Sequence, residues 1–151
     1  MAYRKILVPV DGSATANAGL REAIAMAKGQ GASLQLVHVV DYHYLAMAGL
    51  EAGSYLDDMM RDLVDSGRRI LERAQAQAEK AGVKAATVLL QAPASPAADA
   101  IVRQARKGKA DLIVIGTHGR RGVRRLVMGS DAEQVVRNSP VPVMLVRSPG
   151  R

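Results

Sequence analysis

The chain contains no cysteine, phenylalanine or tryptophan, and its four tyrosines make aromatic residues only 3% of the 151 positions. The absence of cysteine excludes disulfides, thiolate nucleophiles, cysteine-ligated zinc and iron–sulfur clusters. It suits a reducing compartment, which we take to be the cytoplasm. The shortage of aromatic rings argues against an RNA or single-strand partner, because such proteins stack bases on aromatic side chains.

Long apolar stretches are also missing. None approaches the roughly 20 residues that a membrane-spanning helix needs, so no membrane partner is expected. The first residues, Met1–Lys5, lead into a short apolar run without a small-residue cleavage site, so no signal peptide is expected. A length of 151 residues predicts one domain, over residues 1–151. The formal net charge of +7 leaves nucleic acid, membrane surfaces and anionic small ligands as classes to be tested.

Five short runs rich in valine, isoleucine and leucine do not alternate with polar residues, which is typical of parallel strands buried on both faces. The runs are Ile6–Val10, Leu34–Val40, Ala86–Leu90, Leu112–Ile115 and Val141–Val146. Between them lie four segments with apolar residues at helical spacing. These segments are Ala16–Lys28, Asp57–Lys80, Ala97–Arg106 and Ala132–Asn138. The alternation predicts an open parallel α/β sheet with right-handed crossovers and helices on both faces.

Glycine and proline mark the ends of these segments. Ser95 and Pro96 predict an N-cap followed by proline at the first helical position. Gly82 is expected just past a helix end. Pro142, at the start of the last run, indicates an edge strand. The stretch Asp41–Ser54 fits neither pattern and predicts a loop of about 14 residues, a length that is often functional.

The residues after the first and fourth strands are the most informative, because ligands of open parallel sheets bind beyond the carboxyl ends of the strands. After the fourth strand, Gly116 and Gly119 flank two residues, nine residues follow, and Gly129–Ser130 opens a helix. Glycine lets backbone N–H groups approach a phosphate, and a helix N-terminus offers free donors. The pattern therefore predicts a phosphate cradle, although it matches neither the Walker pattern nor Gly-x-Gly-x-x-Gly.

Three segments and the glycine spacing resemble the universal stress protein family over essentially the whole chain. They are Ile6–Ser13, His38–Asp41 and Asn138–Arg147, with Gly-x2-Gly-x9-Gly-Ser before the last. The resemblance implies a five-stranded, Rossmann-like sheet of order 3-2-1-4-5, of the adenine nucleotide alpha hydrolase type. It also implies a homodimer paired through the last strand, Val141–Val146. Family members with this glycine spacing form the ATP-binding branch, so ATP is the implied cofactor.

The resemblance also implies a nucleotide site at the strand ends. The adenine and ribose are implied to contact Pro9, Val10, Asp11 and Val39, with Ile115 and Gly116 beside the ribose and first phosphate. The implied phosphate contacts are Gly119, Gly129 and Ser130, with Ser13, His118 and Arg120 as additional ones.

Asp131 departs from the family pattern, which usually has a small or apolar residue after the Gly-Ser pair. A carboxylate at this position either repels the γ-phosphate or helps to hold a Mg²⁺ ion beside it. The preferred nucleotide therefore stays open between ATP and a diphosphate, monophosphate or cyclic nucleotide.

Purely structural explanations stand beside these assignments. Asp11–Ser13 fits a strand-to-helix turn that Ser13 caps. Ser130–Glu133 reads Ser-x-x-Glu, the pattern of a capping box. His38 lies inside an apolar run and is expected in the core with a backbone partner. His118 either contacts phosphate or is merely exposed in its loop.

Catalytic signals are weak. No His, Asp and Glu cluster has metal-ligand spacing, and no Gly-x-Ser-x-Gly elbow exists. No general base is evident, so at most slow ATP hydrolysis is expected. The sequence predicts a nucleotide-responsive stress or regulatory module. The alternatives are a protein-interaction module that binds no nucleotide, a binder of AMP or cyclic AMP, and nucleic-acid association through Arg120–Arg125, the least favoured.

Overall fold

The computed structural model describes residues 2–42, 53–92, 96–117 and 128–148, along which strands and helices alternate. The elements are β1 (Lys5–Pro9), α1 (Ala14–Gln30), β2 (Ser33–Asp41), α2 (Gly53–Lys80), β3 (Ala85–Ala92), α3 (Ala97–Lys107), β4 (Leu112–Gly116), α4 (Ser130–Asn138) and β5 (Val143–Val146). The strands pair in parallel in the order β3-β2-β1-β4-β5. The predicted parallel sheet of order 3-2-1-4-5 is confirmed.

The three central strands, β1, β2 and β4, are buried on both faces because two helices cover each face. Side chains such as Ile6 and Val8 pack beneath α1 and α2. Residues of opposite parity, including Leu7, Val37 and Ile113, pack beneath α3 and α4. This is why the runs of these strands are apolar at successive positions rather than at alternate ones.

The outer strands differ from the prediction of burial on both faces, which is wrong for β3 and β5. Ala86 and Thr87 of β3 are exposed, and Leu145 of β5 is 40% exposed. The physical reason is that these strands form the two edges of the sheet, where helices cover only part of the surface. The edge position that Pro142 indicated is confirmed for β5, which begins one residue after that proline.

The helix ends mostly agree with the predicted signals. Gly31 and Gly82 follow α1 and α2 with φ of +69° and +80°, a left-handed conformation that favours glycine. The prediction for Pro96 is wrong by one residue: α3 begins at Ala97, and Pro96 is in the N-cap position with an extended ψ of 150°. Ser95, the predicted cap, lies outside the described residues.

Both ends of the stretch predicted as a loop, Asp41–Ser54, differ from the prediction. Asp41 still belongs to β2, and α2 begins at Gly53 rather than at Asp57. Residues 43–52 lie outside the described part of the chain. Within the described ranges, no helix is both long enough and apolar enough to cross a membrane.

Candidate functional site

The turn after β1 is a tightly bonded strand-to-helix connection. The Ser13 N–H donates to Asp11 Oδ1 over 2.8 Å, and Ser13 Oγ accepts from the Ala16 N–H over 3.1 Å. Gly12 between them has φ +82°. The interpretation of Ser13 as the N-cap of α1 is therefore confirmed. The turn fixes where the Asp11 and Ser13 side chains lie at the carboxyl edge of the sheet.

The end of β4 lies directly against the first turn of α1. An ideal Cβ on Gly116 would be 2.7 Å from Thr15 O and 3.0 Å from Ala16 N, and one on Gly19 would be 3.4 Å from Gly116 N. Glycine at both positions permits this approach of backbone to backbone. The turn after β1 and the end of β4, far apart in sequence, thus meet at one edge of the sheet.

The chain that leaves β4 returns to the same place. The Thr117 N–H donates to Val146 O over 3.0 Å, and the Gly129 N–H donates to Thr117 O over 2.7 Å. Residues 118–127 lie outside the described part of the chain, and with them His118, Gly119 and Arg120. The closure between Thr117 and Gly129 nevertheless brings Gly116, Gly129 and Ser130 to one region.

The N-terminus of α4 faces this region without a side-chain cap. The helix begins at Ser130, so Gly129 is in the N-cap position, with φ −59° and ψ 150°. The Glu133 carboxylate pairs with Arg137 over 2.9 Å instead of reaching back to the cap. The capping-box explanation of Ser130 and Glu133 is therefore wrong. The N-cap residue is a glycine with no side chain to accept from the first N–H groups of the helix, and such a terminus is a suitable site for an anion.

An apolar strip lines the same edge on the α3 and α4 face. Val39 and Ile115 pack on the cluster beneath those helices, and Pro9 has the same parity in β1 as Leu7. Val10 is different, because its side chain is 3% exposed in the core beneath α1 and α2. Of the apolar residues assigned to a nucleotide, three share a face, and Val10 could contribute only its main chain.

Acidic side chains follow several of these elements. Asp11 follows β1, Asp41 ends β2, and the exposed Asp131 stands in the first turn of α4. Within the described part of the chain, no group of three or more histidine, aspartate or glutamate residues is arranged to hold a metal ion.

A separate open hollow of about 470 Å³ lies between the end of β2 and the first half of α2. Its lining residues are Tyr42, Asp57, Met60, Arg61, Val64, Asp65 and Arg68. The lining mixes both signs of charge with a few apolar side chains, unlike the apolar strip of the candidate site. No sequence motif pointed to it.

His38 lies in the core with a backbone partner, as predicted. Its side chain is 7% exposed, and Nδ1 is 2.8 Å from Val10 O. The sequence did not indicate that Gly67 of α2 packs against this ring, nor that Thr15 and Gly19 pack against Gly116. A glycine inside an apolar helical stripe was the available signal, since such a position often marks a close approach.

Comparison with known proteins gives a consistent result. The model of the universal stress protein family matches residues 2–147. A universal stress protein of Methanocaldococcus jannaschii is 37% identical over 147 residues, which cover 97% of this chain and 84% of that protein.

Solved structures resemble the chain over nearly its whole length. The universal stress protein of Lactobacillus plantarum has a TM-score of 0.86 at 26% identity, covering 97% of this chain and 99% of that one. The universal stress protein of Archaeoglobus fulgidus, solved in complex with dAMP, has a TM-score of 0.69 at 26% identity, with the same coverage of 97% and 99%.

Proposed function

The chain belongs to the universal stress protein family, and from that premise we propose that it binds an adenine nucleotide at the carboxyl edge of its sheet. The observation that carries the proposal is the α4 N-terminus, which has no side-chain cap and is tied to the end of β4 through Gly129 and Thr117. Backbone donors and the helix dipole at such a terminus attract phosphate. The relative solved with dAMP supports an adenine nucleotide as the ligand class.

In this proposal the phosphates lie against Gly129 and Ser130, and the base lies toward the apolar strip of Pro9, Val39 and Ile115. Asp11, at the turn between these two regions, is the acceptor for ribose hydroxyls. Gly116 adjoins the first phosphate. Gly119, with His118, Arg120 and Ser13, would add contacts from the loop and turn on either side. The chemistry of the edge matches an adenine nucleotide because it offers an apolar surface, a carboxylate and a helix N-terminus.

The direct test is thermal unfolding of the protein with ATP, ADP, AMP and cyclic AMP, each with and without Mg²⁺. A ligand that binds only the native state adds about 2.7 kcal/mol of stability at one hundred times its Kd. We expect at least one nucleotide to raise Tm. No rise with any of them would refute nucleotide binding and favour the alternative of a protein-interaction module, for which Asp131 remains a motive.

Two variants locate the site. Gly129 has φ and ψ that any residue can adopt, so Gly129→Val adds bulk at the helix N-terminus without backbone strain. We expect it to abolish the nucleotide-induced rise in Tm, and Ser130→Ala to weaken binding about tenfold, which is the loss of one charge-assisted hydrogen bond. Ser33→Ala, at the opposite end of β2, is the matched control and should leave the Kd unchanged.

In this proposal, Asp131 determines how many phosphates the preferred nucleotide carries. The proposal for the natural ligand is ATP, with Mg²⁺ if Asp131 helps to hold the ion. In that case Asp131→Asn weakens binding of ATP with Mg²⁺ and leaves AMP binding unchanged. If the carboxylate repels the γ-phosphate instead, the same variant tightens ATP without Mg²⁺, and AMP or cyclic AMP is the ligand. Isothermal titration of both proteins with both nucleotides separates the two.

We also propose that the protein is a homodimer paired through β5. This strand ends the sheet order, Leu145 is 40% exposed, and Val136 of the adjoining α4 is 42% exposed. An uncovered apolar strand edge pairs readily with another strand. Light scattering at micromolar concentration should give twice the chain mass, and Leu145→Lys should give a monomer. A wild-type monomer at that concentration would contradict the proposal.

A further inference from the structure

The His38 imidazole is bonded to the main chain at the start of the site turn. Its Nδ1 lies 2.8 Å from Val10 O, and both residues are buried. A carbonyl oxygen can only accept a hydrogen bond, so Nδ1 must carry the hydrogen and donate it. The ring therefore holds the last carbonyl before Asp11 in a fixed direction.

Val10 is held by β2 at both of its polar main-chain groups. Its N–H donates to Val37 O over 2.8 Å, and its carbonyl accepts from the side chain of the next residue of β2, His38. β1 itself ends at Pro9. The imidazole thus adds one hydrogen bond from β2 beyond the end of β1, at the residue directly before the turn Asp11–Ser13.

Helix α2 fixes the other side of the ring. An ideal Cβ on Gly67 would lie 2.6 Å from His38 Cδ2 and 3.1 Å from Nε2, so the helix backbone rests against the ring edge. One turn further along the same helix face, Ile70 is in van der Waals range of a Cβ placed on Gly12. A single face of α2 therefore contacts both the ring and the turn.

We propose that His38 is a positioning residue for the nucleotide site. Its Nδ1–H orients the Val10 carbonyl and so sets the direction in which Asp11 and Ser13 leave the sheet, while Gly67 keeps the ring in place. The effect on the turn stands on the contacts alone, whereas the effect on ligand affinity rests on the proposed function. His38 touches no ligand in this role and acts through the main chain.

The test compares two replacements of the histidine. His38→Asn keeps an N–H donor close to the position of Nδ1, and His38→Leu removes it. Val83→Ala is the matched control, because Val83 is a buried residue just before the amino end of β3, at the edge of the sheet opposite to the turn. For the wild type and each variant, we measure amide hydrogen exchange at Ser13, Ala16 and Asn17, global stability, and the nucleotide Kd.

We expect His38→Leu to speed exchange at these three amides about tenfold beyond the control, after correction for global stability, and to weaken nucleotide binding by a similar factor. His38→Asn should keep most of the wild-type protection from exchange and most of the wild-type nucleotide affinity. Gly67→Ala should also speed exchange in the turn, because its added methyl displaces the ring. Equal exchange in His38→Leu and Val83→Ala would overturn the proposal.

Two further readouts separate this proposal from the proposed function. Nitrogen NMR of the wild-type ring should find the hydrogen on Nδ1, and a ring protonated only on Nε2 would refute the positioning bond. If the exchange pattern is as expected while no nucleotide binds the wild type, the proposed function fails and the positioning of the turn stands.

Discussion

At the amino end of the sheet, charged side chains hold the segments beside β1 and β4 together, whereas at the carboxyl end β4 meets α1 backbone to backbone at glycines. Both oxygens of the Asp111 carboxylate accept main-chain N–H groups, from Arg4 over 2.9 Å and from Lys5 over 3.1 Å. The Lys5 ammonium donates to Gly108 O over 2.9 Å. At the other end an ideal Cβ on Gly116 would be 2.7 Å from Thr15 O, and the N-cap residue of α4 is a glycine.

The two ends also differ in charge. Each helix in the described part of the chain ends at this side of the sheet with a basic residue in its last turn, which complements the helix dipole. With the residues beside the strand starts, the basic residues of this end are Arg4, Lys5, Lys28, Lys80, Lys84, Arg106, Lys107, Lys109 and Arg137. At the carboxyl end, the described charges include Asp11, Asp41 and Asp131, together with Arg147, which follows β5.

The two ends of the sheet therefore differ in role: contacts at the amino end stabilise the fold, and the carboxyl end is the proposed binding edge. At the amino end, charges and hydrogen bonds satisfy the chain's own helix termini and strand starts, so little is left for a ligand. At the carboxyl end, glycines let β4 approach α1, side chains fix the turn after β1, and the N-cap residue of α4 is a glycine without a capping side chain. Changes at the amino end should alter stability alone, and changes at the carboxyl end should alter binding as well.

The largest effect is expected at Gly116. Gly116→Val places a branched side chain where a Cβ alone would be 2.7 Å from Thr15 O. We expect a loss of about 3 kcal/mol in the free energy of unfolding, together with weaker nucleotide binding. Urea denaturation measures the first and titration the second. Gly29→Ala is the control: a Cβ there meets nothing within 4 Å, so stability should rise by about 0.5 kcal/mol.

The next effect tests the amino end. Asp111→Ala leaves the Arg4 and Lys5 N–H groups without their carboxylate, and we expect a loss of about 2 kcal/mol by urea denaturation. Asp111→Asn keeps one acceptor and should lose about half as much. Neither variant should change the nucleotide Kd. A changed Kd would show that the two ends are coupled rather than separate.

A smaller effect of opposite sign is expected at Gln35, near the amino end of β2. Its Oε1 is buried and has no hydrogen-bond partner in the described part of the structure. Gln35→Met has nearly the same shape without the polar atoms, so stability should rise by about 1 kcal/mol. Gln104→Met, at a buried glutamine of α3 that shows no such orphan oxygen, is the control. A clear loss at Gln35 would indicate a bound water as its partner.

The smallest effect concerns the cations of the amino end. Because they repel one another, raising the salt concentration from 20 to 300 mM should raise Tm by about 1–3 °C. Lys84→Gln should reduce this salt-induced rise in Tm. Arg61→Gln should not reduce it, because Arg61 pairs with Asp58 on α2. A fall in Tm with salt would mean that attractive pairs elsewhere outweigh the repulsion.

Much of the fold could be predicted from the runs of apolar residues. β1, β2 and β4 were found because burial on both faces leaves an uninterrupted apolar run. The same pattern wrongly predicted that β3 is buried on both faces, because an apolar run does not show whether another strand lies beyond it in the sheet. The start of α2 was missed because Gly53 and Ser54 are weak helix formers, and packing elsewhere in the helix overrides their propensity.

Part of the candidate site could also be predicted. The Ser13 cap could be predicted because a short polar side chain directly precedes a helix. The backbone partner of His38 could be predicted because a polar ring within an apolar strand needs a hydrogen-bond partner. The prediction that Gly129–Ser130 opens a helix is confirmed. The capping-box alternative failed because Ser-x-x-Glu fits a capping box whether or not the helix starts one residue earlier. The contacts of Gly116 with Thr15 and of Gly67 with His38 depend on tertiary packing, which no local pattern contains.

The position of β1 between β2 and β4 has a consequence for the order in which the protein is made. Lys5 and Asp111 are bonded across 106 residues of chain, so at roughly 5–20 residues per second β1 waits on the order of 5–20 s for β4 during synthesis. The turn after β1 emerges long before the helix N-terminus that completes the site. A ligand at this edge can therefore stabilise only chains that have been synthesised beyond Ser130, and truncated chains gain nothing from it.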